Sequence, residues 1–434
     1  MPTVAPVPDV LADLEWRGLI AQTTDREALA RDLAAGPVVL YAGFDPTAES
    51  LHVGNLVPLL ALRRFQLAGH RPIALAGGAT GTIGDPSGRS TERALLTPEV
   101  VAARVRLLSR QMQRFLDFSG PGAALLADNL DWTGDLRVLD FLRDVGKHFP
   151  VNQMLARESV SARLQGAGLS FTEFSYQLLQ AMDYVELHRR HGCRLQIGGN
   201  DQWGNITAGL DLLRRVERAS AHALTFPLVT DASGAKIGKS TGGGNVWLDP
   251  AMTSPYALYQ FLLNVDDRDA GTYLRLLTFV GREDVEALDA ATTRRPQARA
   301  AQRRLAVELV ALAHGAEEVR RVQAASAALF GGGDLTALDE DVLAAALAEA
   351  PAVRVDGQAP AVVELLAEGL GLSRSDARRA VREGGAYLNN ERLTDEARVP
   401  QDTDWLHGRF LVLRRGKRAV VVVERGAGPA DRPR

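Results

Sequence analysis

The 434-residue sequence predicts an α/β fold: a Rossmann-like, mainly parallel sheet, followed by an α-helical region and a small α+β unit. Through residue 230, short apolar runs alternate with longer amphipathic stretches, the pattern of βαβ crossovers. Beyond residue 250 strand signals stop and helical periodicity runs to about residue 330. From residue 361 two helical patterns precede short β-rich runs.

Element by element, "VLADLEWRGLI" and "DREALARDLAAG" read as amphipathic helices after a Pro-rich start. "PVVLYAGF" is a buried strand, "HVGNLVPLLALRRFQLAG" a helix ended by glycine, and "RPIALAGGA" a second buried strand. Then come a helix over 98–118, a strand at "GAALLAD", helices over 135–148 and 172–189, the strand "CRLQIGG", a helix over 202–218 and the strand "LTFPLVT". The boundaries expected are 1–230 for the sheet domain and 231–330 for a glycine-rich loop plus helices. A linker over 331–360 follows, in which "DEDVLAAALAEA" has helical character, then a unit over 361–425 and a disordered tail, 426–434. That unit opens with the helices "VVELLAEGL" and "SRSDARRAVREG" and continues with the strands "GAYLNN" and "FLVLRRGKRAVVVVE".

Composition narrows the class. Hydrophobic content of 46% beside 24% charged residues fits a chain that buries a large core. No run approaches the ~18 apolar residues of a membrane span, and "MPTVAPVPDV" lacks a signal-peptide pattern, so a cytoplasmic protein without a membrane partner is expected. The single cysteine, Cys193, excludes an intrachain disulfide and a multi-cysteine zinc site, and reads as a small buried apolar residue. A net charge of −3 conceals a division: 294–321 and 372–418 are basic, and 331–350 between them carries five acids and no base. Modules facing one polyanion give this pattern, as do solvated arginine-rich helix faces.

Four polar or Gly-rich stretches fall where a parallel sheet holds its ligand: 41–55, 77–93, 174–184 and 196–205. In the first, a strand end delivers Tyr41, Gly43 and Asp45, and His52 and Asn55 fall at the start of a helix, a place that favours phosphate. Pro58 suits a first helical turn. In the second, Asp85 suits an ammonium group and Arg89 and Arg93 a polyphosphate, although the loop taken alone reads equally as a connection. In the third, Tyr176, Gln180 and Asp183 share one helix face, and a phenol, an amide and a carboxylate there call for a small amphiphilic ligand. In the fourth, adjacent glycines allow close backbone approach, and Asp201 stands where acidic residues take up ribose hydroxyls.

Lysine occurs only at positions 147, 236, 239 and 417, every other basic side chain being arginine. Two of the four lie in "SGAKIGKSTGGGN", and a Gly/Ser loop carrying Lys236 and Lys239 can close two compact charges over phosphates.

"HVGN" at 52–55 and "KIGKS" at 236–240 resemble the paired HIGH and KMSKS signatures of class I aminoacyl-tRNA synthetases. "LYAGFDPTAESLHVGN", "GGATGTIGDPSGRSTER", "FSYQLLQAMDY" and "CRLQIGGNDQWGNITAGL" are very similar to bacterial tyrosyl-tRNA synthetases, and the likeness runs through nearly the whole chain. The C-terminal unit resembles an RNA-binding domain shared with a ribosomal small-subunit protein. The resemblance implies activation of L-tyrosine by ATP to tyrosyl-adenylate and pyrophosphate, then transfer to the 3′ end of tRNA(Tyr). It implies Tyr41 and Asp183 at the substrate phenol, Asp85, Tyr176 and Gln180 at its ammonium group, and Thr47, His52 and Asn55 at the phosphates. Gly199 and Asp201 would meet the ribose, Gln202 the reacting carboxylate and α-phosphate, and Lys236, Lys239, Arg89 and Arg93 the leaving pyrophosphate. Mg2+ would ride on the ATP phosphates, with no protein metal site and no prosthetic group. A homodimer is expected from the family, and DNA is not expected as a partner.

Asn55 replaces the second histidine of HIGH, and Ile237 varies KMSKS, neither change removing a loop lysine. The competing readings are an RNA-binding protein without aminoacylation and a tryptophan-specific relative. The phenol-binding pair Tyr41 and Asp183 argues against the second, and its coexistence with "HVGN" and both loop lysines argues against the first.

Overall fold

A computed structural model of the chain describes residues 7–87, 95–156, 160, 163–164, 168–234, 237–238, 244–348, 350–416 and 419–426. Two compact units are present: Met1–Thr253 with Phe261–Ala313, and Ser254–Gln260 with His314–Arg434.

The first unit is built on a six-stranded sheet of β1 (Gln22–Thr23), β2 (Val39–Phe44), β3 (Arg71–Ala76), β4 (Leu125–Asp128), β5 (Cys193–Gly199) and β6 (His222–Phe226). The spatial order is β1-β6-β5-β2-β3-β4, and all pairings are parallel except β1 with β6. Helices on both faces let β3 and β6 be buried on both sides, which is why they read as nearly continuous runs rather than alternations. β2 and β5 are neighbours although β3 and β4 intervene in sequence. The chain therefore winds to one side of β2 and returns to build the other, leaving a crevice at the carboxyl ends of β2 and β5.

The Phe171–His191 helix lines that crevice. Ser170 caps its start by accepting from the Glu173 backbone N–H at 3.2 Å, and Gly192, at φ 66°, turns the chain into β5. Its apolar side packs with β2, β3 and the Trp203–Glu217 helix around Tyr41, Tyr184, Leu187 and Leu212. Cys193 lies in this core, fully buried, and burial pushes its thiol up to about 12, as suits a small apolar residue.

Three elements depart from the sequence expectation. β1 is an antiparallel edge strand of two residues, too short to show a period. Over 135–148 a single helix gives way to Val138–Asp140, a π-helical turn at Phe141–Val145 and a 3-10 turn at Gly146–His148. Val138, Leu139 and Leu142 are exposed there, so the described residues offer these side chains little packing to hold a regular helix. Third, the helices of 231–330 do not form a unit of their own. Buried Arg17 and Arg64 donate to the carbonyls of Arg275, Thr278 and Val280, at the end of the Asp267–Leu277 helix. Asp13 pairs with both guanidinium groups, at 2.9 and 3.3 Å. Burial lowers Arg64 to about 9. Arg64 belongs to the Leu56–Leu67 helix, so this lock ties the helical segment to the sheet unit.

The second unit has a five-stranded sheet of β7 (Ala352–Val355), β8 (Ala386–Leu388), β9 (Glu391–Arg392), β10 (Phe410–Arg415) and β11 (Ala419–Arg425), in the order β7-β11-β10-β8-β9. The expected linker over 331–360 is corrected here. It holds a helix, Glu340–Leu347, and β7, which runs parallel to β11 and buries Val353 and Val355 in the core. The alternation in "AVRV" is the period-two signal that marks it. Part of the acidic segment is neutralised within the unit, since Arg321 pairs with Glu318, Asp339 and Asp341. The tail beyond residue 426 lies outside the described residues.

Candidate active site

At the carboxyl ends of β2 and β5 lies a cavity of about 380 Å³, and all four stretches marked in the sequence contribute to it. Tyr41, Gly43, Asp45, Thr47, His52, Asn55, Asp85, Tyr176, Gln180, Asp183, Gly199, Asp201 and Gln202 all line it. Arg89, Arg93, Lys236 and Lys239 lie outside the described residues.

One end of the cavity is a deep polar pocket. Tyr41 comes from β2, and its ring meets that of Tyr184 edge to face at 5.3 Å. Its hydroxyl is buried and has no hydrogen-bond partner among the described residues, which is costly unless a ligand supplies one. Asp183 is buried and accepts from Asn129 Nδ2 at 3.0 Å and Trp132 Nε1 at 2.8 Å. Burial dominates those two donors and raises its carboxyl to about 7.

A hydrogen-bonded chain leads from this end to the other. Asn129 Nδ2 also reaches Thr80 Oγ1 at 3.0 Å, Thr80 donates to Asp45 Oδ1 at 2.7 Å, and the Tyr176 hydroxyl donates to Asp45 Oδ2 at 2.7 Å. Asp45 can enter only because residue 77 is glycine, for a Cβ there would sit 2.1 Å from Asp45 Oδ1. Asp45, delivered by the end of β2, thus anchors Tyr176 through its carboxylate. With its proton committed, the Tyr176 oxygen is left as an acceptor. Asp85 accepts from the Ser87 N–H and from Gln202 Nε2, at 2.9 and 2.7 Å. Gln202, expected beside a reacting carboxylate, is therefore joined to the group expected to hold an ammonium ion. Gln180 Oε1 and Gln196 Oε1 are also buried without a partner among the described residues.

The "HVGN" turn is a 3-10 turn, Val53–Asn55, closed by reciprocal bonds. His52 Nδ1 accepts from the Gly54 N–H at 3.0 Å, and Asn55 Oδ1 accepts from the His52 N–H at 3.0 Å. A neutral His52 then carries its proton on Nε2, and Asn55 is oriented with its NH2 as the remaining donor.

The described part of "KIGKS", Ile237 and Gly238, is fixed by backbone bonds from Ile237 N to Val229 O and from Val246 N to Gly238 O, at 2.9 and 2.6 Å. Residues 51–53 pair with 246–248 through Val53 N to Val246 O and Leu248 N to Leu51 O, with His52 opposite Trp247. Buried Gln111 accepts from the Leu51 N–H at 2.8 Å and reaches Asp249 Oδ2 at 3.4 Å. Both signature segments thus rest on one backbone ladder.

Asn129, Trp132 and Gln111 went unmarked in the sequence, and Thr80 and Gln196 were not singled out within the stretches 77–93 and 196–205. The first two follow β4, and the strand-end rule that marked the other stretches applies equally to "DNLDW".

A family model described as tRNA synthetases class I (W and Y) matches residues 33–331, and one described as a Tyrosine--tRNA ligase SYY-like C-terminal domain matches 342–423. A Tyrosine--tRNA ligase of Streptomyces coelicolor is 59% identical over 96% of this chain and 99% of its own length. One from Mycobacterium tuberculosis is 57% identical over the same shares. Among solved structures, a C-terminally truncated mitochondrial tyrosyl-tRNA synthetase of Aspergillus nidulans is 31% identical, covering 73% of this chain and 92% of its own, with a TM-score of 0.66. A cavity at the sheet's switch point, flanked by two signature segments on a shared ladder, and likeness of this extent along the chain lead to one assignment: the chain belongs to the class I tRNA synthetases of the tryptophan and tyrosine group.

Proposed function

We infer that the chain is a tyrosine–tRNA ligase, an ATP-dependent enzyme that forms tyrosyl-adenylate and pyrophosphate and then transfers the tyrosyl group to tRNA(Tyr). The observation that carries the choice of tyrosine is the pocket's deep end. A phenol entering it donates to Asp183 and accepts from Tyr41, whose hydroxyl otherwise has no partner among the described residues. Phenylalanine would leave both groups without one, a loss of about 1–3 kcal/mol per group.

The chain from Asp183 to Tyr176 spans the amino acid, so the Tyr176 oxygen, Asp85 and Gln180 receive the ammonium group at its other end. Thr47, His52 and Asn55 meet the phosphates, Gly199 and Asp201 the ribose. Lys236, Lys239, Arg89 and Arg93 neutralise the leaving pyrophosphate. No side chain acts as nucleophile or general base, because the tyrosine carboxylate is already ionised. Catalysis is positioning and charge stabilisation. Mg2+ would arrive on the ATP phosphates, and Asp45, Asp85 and Asp183 accept hydrogen bonds from Thr80, Ser87 and Asn129.

Two further proposals concern assembly and the tRNA. Leu139 and Phe171 are 79% and 76% exposed, and Val138, Leu142, Val151 and Leu155 are exposed in the same region of the chain. A second copy of the chain covers them in a homodimer. The basic helices and the unit over 361–425 bind the tRNA. No helix among the described residues is long and apolar enough to cross a membrane.

Exchange of labelled pyrophosphate into ATP tests the assignment. L-Tyrosine supports it, and tryptophan and phenylalanine do not. Absence of exchange with any amino acid would sink the enzymatic assignment, and exchange with tryptophan alone would move it to the other branch of the family. Lys239→Ala depresses the exchange far more than it weakens tyrosine binding.

A further inference from the structure

Asp183 is not an isolated carboxylate at the bottom of the pocket. Its Oδ1 is held by the Trp132 indole N–H at 2.8 Å, and the face of that indole lies under a guanidinium, with Arg190 Cζ 5.2 Å from the ring centroid. Asp183, Glu186 and Arg190 follow one another at spacings of three and four along the Phe171–His191 helix, so they share a face. Glu186 accepts from Arg190 Nε at 3.2 Å and from Arg189 at 2.8 Å, which fixes where the Arg190 head can sit. Trp132 is thereby clasped along the helix, its N–H on the pocket carboxylate and its π-face on a cation.

A cation over an indole face draws electron density toward itself and makes the N–H at the ring's edge a stronger donor. That donor faces a carboxylate whose charge is disfavoured by burial and by neighbouring Asp45 and Asp128, with the phenols of Tyr41 and Tyr176 alongside. Around Arg190 the charged neighbours are Glu186 and Arg189, and His191, whose imidazole is disfavoured in its charged form by burial and by Arg190 and Arg71, is the titratable one.

We propose that Arg190, remote from the substrate, is a positioning residue for tyrosine recognition: by stacking on Trp132 it holds and polarises the indole N–H that keeps Asp183 oriented and ionised to accept the substrate phenol. The proposal rests on the placement of that phenol at Asp183. Cation–π and polarisation effects are modest, so the expected effects are too.

The test uses the full-length enzyme in tyrosine-dependent pyrophosphate exchange across pH. Arg190→Met keeps an apolar stem over the indole without the charge. It raises the KM for tyrosine about three- to five-fold near neutral pH, leaves kcat and the KM for ATP unchanged, and moves the midpoint of the tyrosine KM profile to higher pH. Arg190→Lys, which restores a cation, returns both toward the parent. Trp132→Phe keeps a ring but removes the donor, and raises the KM for tyrosine about 10- to 100-fold while lowering discrimination against phenylalanine. If Arg190→Met matches the parent in KM and midpoint, or if Met and Lys behave alike, the inference is wrong. A parallel rise in the KM for ATP marks general distortion and also overturns it. Asp183→Asn separates this from the underlying assignment. If that variant binds tyrosine as the parent does, the placement of the phenol has failed; if it binds weakly while Arg190→Met is normal, only the role of Arg190 has.

Discussion

The Tyr176 hydroxyl donates to Asp45 Oδ2 at 2.7 Å, and that single bond decides what Tyr176 offers the cavity. A phenol whose proton is committed presents lone pairs, which suit an ammonium group. Asp45→Asn lets the amide donate to Tyr176 instead, so the phenol's own proton turns toward the substrate. The KM for tyrosine is expected to rise about 10- to 100-fold with little change in kcat or in discrimination against phenylalanine, measured by pyrophosphate exchange with each amino acid. An unchanged KM would remove Tyr176 from the ammonium site.

Asn55 has two tasks that one pair of variants separates. Its oxygen holds the His52 N–H, and its NH2 is the donor proposed for phosphate. Asn55→Asp keeps the first and replaces the second with negative charge, so exchange falls at least about 30-fold while thermal stability stays near the parent's. Asn55→Ala loses both, and stability drops by about 1 kcal/mol, as for other caps. Equal activity in Asn55→Asp and the parent would exclude the phosphate contact.

Burial raises the Asp183 carboxyl to about 7 from an ordinary 3.8. The folded state therefore holds the proton more tightly than the unfolded chain. The stability from this group is full below about pH 4 and is lost as pH rises through about 7. Asp183→Asn removes that dependence. The melting temperature of the variant should gain on the parent's between about pH 5 and pH 7.5 in the absence of tyrosine, read by calorimetry. A gap that does not widen with pH would show that burial does not govern the carboxyl.

The apolar residues near 138–171 bear on assembly. Leu139→Asp combined with Phe171→Asp places two charges where a second copy is proposed to pack, and sedimentation should report a halved mass. A parent that already sediments at the mass of one chain would dismiss the homodimer.

The parallel sheet was legible because β3 and β6 are buried on both faces, and the site because ligands gather at strand ends. Tyr176, Gln180 and Asp183 stood out as polar groups on one helix face. Asp45 was legible as a cavity residue, but its bond to Tyr176 was not, because Tyr176 lies 131 residues away and no local pattern encodes that bond. Trp132 and Gln111 were invisible for the same reason: each acts on a residue at least 50 positions distant. β7 was hidden by its acidic, Ala-rich surroundings, and its identity rests on a partner strand near the other end of the unit.

The order of strands has a consequence for chain synthesis. Tyr41 and Asp45 come from one half of the winding, Asp183 and Asp201 from the other, and Ile237 follows last. A nascent chain that stops before Asp183 owns the first half of a tyrosine pocket and no second half. The pocket that joins Tyr41 to Asp183 therefore closes only once synthesis has passed the Phe171–His191 helix.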